Sequence, residues 1–260
     1  MTLTVQRNII LALLIASAAA SWAVLIRQQI GMGADMEIHS PTMGMTAPLF
    51  LAVWIVMMIA MMFPTAAPMI LTFHQVQAAK RGRGGTFVST WVFVAGYMLV
   101  WSAIGVLAFA GAAGVEMLGE RTEMSTATAA RIGGVLLGVA GAYQLSPLKD
   151  LCLAKCRTPM GFILTSWRDG RWGAARMGVE HGAFCLGCCW LLFLALFPLG
   201  IMNVAAMAVV TLLIFAEKTL PSGDRIAKVS GAALLLYGAA VLVFPQALPT
   251  FQATDAMTMN

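Results

Sequence analysis

His181, Cys185, Cys188 and Cys189 fall within nine residues of one another, inside the apolar run EHGAFCLGCCWLLFLALFPLG. On a helix turning 100° per residue, Cys185 and Cys188 each point within about 40° of the direction of His181, with Cys189 on the flank. One face would then carry an imidazole and up to three sulfurs, donors suited to Cu(I), Zn²⁺ or iron. Cys188 and Cys189 are adjacent and diverge by about 100°, so Cys189 is the weaker candidate for a shared ion. The apolar segment that follows returns through a turn centred near residue 200, and a simple antiparallel register sets Glu217 opposite roughly residue 183. There its carboxylate could complete a metal shell or orient the imidazole.

Cys152 and Cys156 form a second pair, spaced four apart in SPLKDLCLAKCRTP. If that stretch is helical, both sulfurs share a face, a workable bidentate spacing. Methionines form a third group: in WIVMMIAMMFPTAAPM, Met57 pairs with Met61 and Met58 with Met62 at helical spacing, preceded by Met32, Met36, Met43 and Met45. Thioethers are soft ligands, although methionine is also ordinary core filler, so Met58, Met61 and Met62 rank below the thiols. His74, at the end of the same segment, is a lesser candidate of the same rank. Asp35, Glu37 and His39, interleaved with Met36, offer a labile metal-collecting loop, with no ligand spacing to set them apart from ordinary loop polarity.

The elements that must hold these residues are apolar. The 260 residues are 60% hydrophobic and 10% charged, with a mean hydropathy of +0.85, against roughly 25% charged residues in soluble domains. Stretches near 9–26, 49–73, 87–113, 128–145, 179–199, 201–217 and 228–245 are apolar enough to be read as spanning helices, the sixth being the shortest. The expected fold is therefore a single all-α polytopic transmembrane bundle of about seven helices. Pro64 and Pro68 should kink the second.

With the N-terminus inside, thirteen of the sixteen Lys and Arg residues fall on cytoplasmic segments, and only Arg27, Arg121 and Arg131 fall outside. That bias records topology, cytoplasmic N-terminus and external C-terminus, and argues against nucleic acid as a partner. The stretch 146–178 reads as the longest loop, with MGFILTSW apolar enough to lie in the interface or dip back into the membrane. No glycine-rich phosphate loop, G-x-S-x-G elbow or Ser/His/Asp set occurs, and no catalytic residue stands out. The histidine pattern does not fit a bis-His haem protein.

Four long signatures carry a resemblance: MMIAMMFPTAAPM at 57–69, YQLSPLKDLCLAKCRTP at 143–159, HGAFCLGCCW at 181–190, and FPLGIMNVAAM with AEKTLP across 197–221. In these the chain resembles the DUF2182 family, predicted metal-binding integral membrane proteins of bacteria. The resemblance implies a multi-pass protein of the bacterial inner membrane that binds metal, and assigns no activity.

The leading expectation is a membrane protein handling copper, favoured over zinc or iron, in transport, sensing or support of a metalloenzyme. Its partners would be the lipid bilayer, the ion, and a membrane complex or metallochaperone. One alternative is a thiol–disulfide or quinone-linked oxidoreductase using the C-x-x-C at 185–188. Another is a structural subunit of a membrane complex, its small-residue helices serving helix contacts.

Overall fold

The computed structural model describes residues 3–31, 42, 44–122, 125–201 and 203–248. The candidate residues Met32, Asp35, Met36, Glu37, His39 and Met43 lie outside this set. Among the described residues every regular element is helical: α1 (Leu3–Gly31), α2 (Ala47–Gly82), α3 (Thr90–Thr122), α4 (Thr126–Gln144), α5 (Pro147–Arg157), α6 (Pro159–Ser166), α7 (Gly170–Leu194), α8 (Leu196–Leu199), α9 (Val204–Thr219) and α10 (Gly223–Val243), closed by a 3₁₀ turn at Pro245–Ala247.

Among the described residues, five helical stretches are long and apolar enough to cross a membrane: Leu3–Gly31, Ala47–Gly82, Thr90–Gly119, Gly170–Leu199 and Gly223–Val243. The fourth and sixth expected segments are present as α4 and α9 but are not among the five. At 1.5 Å per residue, the 16 residues of α9 reach about 24 Å, short of a hydrocarbon core of roughly 30 Å. Helix α4 opens on a polar turn that carries Thr126, Thr128 and Arg131.

The stretch expected as a long loop folds instead as α5, α6 and the first turns of α7. Its boundaries follow from capping chemistry. The Ser146 hydroxyl accepts the Lys149 N–H at 3.3 Å while Pro147 takes the first helical position, where no N–H is required. Pro159 likewise opens α6. Gly170, at φ +81°, makes the corner into α7, a conformation that side-chain-bearing residues rarely adopt.

Helix α2 runs through both of its prolines. Pro64 has no N–H to offer the carbonyl of Ala60 one turn earlier, and that carbonyl instead accepts the indole N–H of Trp22 on α1, at 3.1 Å. Two interfaces depend on missing side chains. A Cβ on Gly178 of α7 would stand 2.1 Å from the Phe93 carbonyl of α3, and one on Gly96 would stand 2.2 Å from that of Ala175. Across α4 and α10, a Cβ on Gly141 would lie 2.7 Å from the Gly231 carbonyl. Backbones therefore touch at both seams, as small residues allow. The main core gathers Met58, Met61 and Met62 from α2, Tyr97 and Trp101 from α3, Cys185, Cys188 and Cys189 from α7, and Met207 and Ile214 from α9.

Candidate metal centre

Helix α7 carries its cysteines on the face turned into this core, where Cys185, Cys188 and Cys189 are no more than 2% exposed. Their three sulfurs lie within 4.8 Å of one another. Two sulfurs bound to one ion at roughly 2.3 Å, the zinc–thiolate length, can be at most about 4.6 Å apart, so small side-chain rotations bring the group onto a single ion. Cys189 joins the group despite its 100° offset, for a local reason. The Cys188 and Cys189 thiols both turn back along the helix and donate to the Cys185 carbonyl, at 3.1 and 2.8 Å.

A fourth sulfur arrives from α5. Cys156 Sγ lies 3.9 Å from Cys188 Sγ, so α5 folds back onto α7 as a partner rather than trailing away as a loop. Hydrogen bonding to Cys185 and then to Cys188, together with burial, holds the Cys156 thiol well above the usual range. Cys152, one turn earlier, is half-buried, with its sulfur lodged where a side chain on Gly187 would be: a Cβ there would stand 2.6 Å away.

The position expected for Glu217 belongs to its neighbour. Lys218 Nζ lies 3.0 Å from Cys185 Sγ and 3.4 Å from the Thr65 hydroxyl oxygen of α2. Glu217 is 1% exposed and turned away, its carboxylate accepting from Lys149 Nζ at 2.6 Å and from Gln144 Nε2 at 2.8 Å. Lys149 also donates to Gln144 Oε1, and Gln144 Nε2 reaches Ser230 Oγ at 2.8 Å. Every charged or amide group in this knot has a partner, the condition for carrying charge inside an apolar bundle. Tyr97 completes the surroundings of Cys185, its hydroxyl oxygen 3.2 Å from the sulfur.

His181 is 3% exposed and caged by rings, stacked on Tyr97 and Phe93 with centroids 5.7 and 6.0 Å away and met edge-on by Phe162 at 5.4 Å. It does not belong to the close sulfur group, and its Nδ1 has no hydrogen-bond partner among the described residues. His74 is elsewhere on α2, its Nδ1 3.2 Å from the Thr90 hydroxyl. Met58, Met61 and Met62 are fully buried in the same core as the thiols. Met62 connects to the site through Thr65, whose hydroxyl sits 4.0 Å from the Met62 sulfur and donates to its carbonyl.

The arrangement thus offers three clustered thiols, a fourth within reach, an ammonium in contact and, among the described residues, no carboxylate. Lys218, Tyr97, Lys149 and Gln144 escaped the sequence reading. Of these only Lys218 left a signal, as a cation directly after Glu217 at the end of an apolar segment.

A family model described as PpoB2, copper chaperone, matches residues 51–241. This family is also known as DUF2182. The matched region contains all five cysteines, Lys218 and the α2 methionines. No curated protein and no solved structure matches the chain.

Proposed function

The chain belongs to the PpoB2 copper chaperone family, and from that premise we propose that it is a membrane protein carrying Cu(I) as cargo on Cys185 and Cys188, with Cys189 and Cys156 as further sulfur ligands. The observation that carries this reading is the buried group of three sulfurs within 4.8 Å. Soft thiolates select soft ions, and among the described residues no carboxylate belongs to the group. With Cys185 and Cys188 as thiolates and Cys189 and Cys156 as neutral thiols, Cu(I) leaves one negative charge, which Lys218 beside Cys185 offsets. His181, whose buried Nδ1 has no hydrogen-bond partner among the described residues, lies on the same helix outside the sulfur group and is not a principal ligand. Glu217, His74, Met58, Met61 and Met62 hold the surroundings and do not bind the ion.

In this reading the five long helices and α4 cross a bacterial inner membrane, together with the short α9, whose mismatch local thinning of the bilayer accommodates. The N-terminus is cytoplasmic and the C-terminus external, and the cysteines lie toward the cytoplasmic leaflet. The cation bias of the loops supports that orientation. The chaperone would hand its ion to a membrane metalloprotein.

Titration of the reduced, detergent-purified protein with Cu(I) against a competing chelator tests the proposal. One ion per chain is expected, with tight binding lost in Cys185→Ser and in Cys188→Ser. Binding unchanged in both variants would sink it. A thiol–disulfide reading has one observation in its favour, the 3.9 Å approach of Cys156 to Cys188 across two helices. Rapid, reversible trapping of that disulfide in protein that binds no copper would support it over the copper reading.

A further inference from the structure

The clustered thiols are sealed. Cys185, Cys188 and Cys189 are 0, 2 and 1% exposed, and Cys156 is 9% exposed. A Cu(I) thiolate exchanges by association: the incoming sulfur bonds before the outgoing one leaves. Cargo therefore needs a thiol at the margin of the site, and Cys152 is the only one of the five cysteines that is not buried. It shares a face of α5 with Cys156 one turn on, and Cys156 touches Cys188 at 3.9 Å. Helix α5 therefore sets two sulfurs against α7, Cys156 beside Cys188 and Cys152 beside Gly187, with Cys152 the more exposed of the two.

Gly187 seats the more exposed of these sulfurs. It lies inside α7, where glycine costs about 1 kcal/mol relative to alanine, and its backbone has no positive φ that would call for glycine. What its missing side chain provides is room, because a Cβ would stand 2.6 Å from the Cys152 sulfur and 3.4 Å from its Cβ. The Gly187 carbonyl is also fixed, accepting the Tyr143 hydroxyl of α4 at 2.5 Å.

We propose that Cys152 is the transfer thiol of the copper site, taking Cu(I) from an external thiolate carrier and passing it through Cys156 to Cys188 and Cys185, with Gly187 as the slot that holds it in range. In each step a new Cu–S bond forms as the bond to the previous sulfur breaks. The entering thiol gives its proton to the departing thiolate, and copper remains Cu(I), so no electron moves. This inference rests on the copper reading above.

The test separates rate from affinity in the full-length, detergent-purified protein. Stopped-flow loading from Cu(I)–glutathione measures transfer, and competition with a Cu(I) chelator measures equilibrium binding. Cys152→Ser and Gly187→Ala should each slow loading by about tenfold or more, while the dissociation constant stays within a factor of about three. Loading at the wild-type rate in Cys152→Ser overturns the relay, even where Gly187→Ala fails to fold. So does an affinity loss as large as the loss of rate, which would make Cys152 a permanent ligand. Wild-type protein that binds no Cu(I) overturns the copper reading itself, and the relay falls with it.

Discussion

Glu217 and Lys218 are neighbours on α9 with opposite charges, and each answers a different demand. One helical step of 100° sends the carboxylate to Lys149 and Gln144 on one side and the ammonium to Cys185 on the other. Lys218→Met removes the counter-charge while keeping most of the volume, and should weaken Cu(I) binding by roughly 10–100-fold, the usual loss when a group supporting a metal ligand is removed. Competition titration reads it, and an unchanged affinity would show that the ammonium plays no part in holding the ion. His181→Phe should fit among Phe93, Tyr97 and Phe162 with the fold intact. As His181 stands outside the close sulfur group, the substitution should cost less than Cys185→Ser in the same titration. An equal loss would make the imidazole a principal ligand. At this scale, the pairing of Cys185 with Cys188 is legible from spacing alone because one helix carries both, whereas His181, expected on the same face, stands outside the close sulfur group. The return of Cys189 is not legible, because it depends on a side-chain rotation toward the Cys185 carbonyl.

Helix α5 decides whether a fourth sulfur reaches the site, and it is clamped at both ends. Lys149 near its start pairs with Glu217 inside the bundle. Arg157 at its end pairs with Asp224 and donates to the carbonyls of Leu220 and Pro221 in the corner between α9 and α10. Removing one member of a buried pair leaves an uncompensated charge, so Lys149→Met should destabilise the protein by about 3–5 kcal/mol. The double variant Lys149→Met/Glu217→Leu should recover much of that, and thermal unfolding in detergent measures both. A double variant as unstable as the single one would argue against the pairing as the cause. The seam of α3 and α7 is the second determinant, because it sets the rotation of the cysteine helix. Gly178→Val would drive a side chain into the Phe93 carbonyl, already 2.1 Å from a bare Cβ, and should abolish stable folding, read as loss of monodisperse protein. The helical spacing of Cys152 and Cys156 is legible in the sequence. Their docking onto α7 is not, because it arises from contacts between residues about thirty positions apart.

For the whole molecule, hydropathy marks the apolar segments well, and each expected one coincides with a helix. The boundaries move where capping and packing outweigh hydropathy: α7 begins at Gly170 rather than near 179, and α2 continues to Gly82 rather than ending near 73. Composition could not foresee that α4, one of the two expected spans outside the five, would pair with α10 through Gly134, Gly141, Gly231 and Gly238, a seam in which backbone replaces side chain. With seven crossings, a reporter fused to the N-terminus is expected to read cytoplasmic and one at the C-terminus external. Both on the same side would mean an even number of crossings and would displace α4 or α9 from the membrane. Cu(I) held on cysteine sulfur inside this bundle has a direct signature in copper K-edge X-ray absorption of the loaded protein. A Cu(I) edge with a sulfur-only shell of two or three atoms is expected, and it should disappear in Cys185→Ser. A nitrogen- and oxygen-dominated shell, or a sulfur shell unchanged in that variant, would contradict Cu(I) binding at these cysteines.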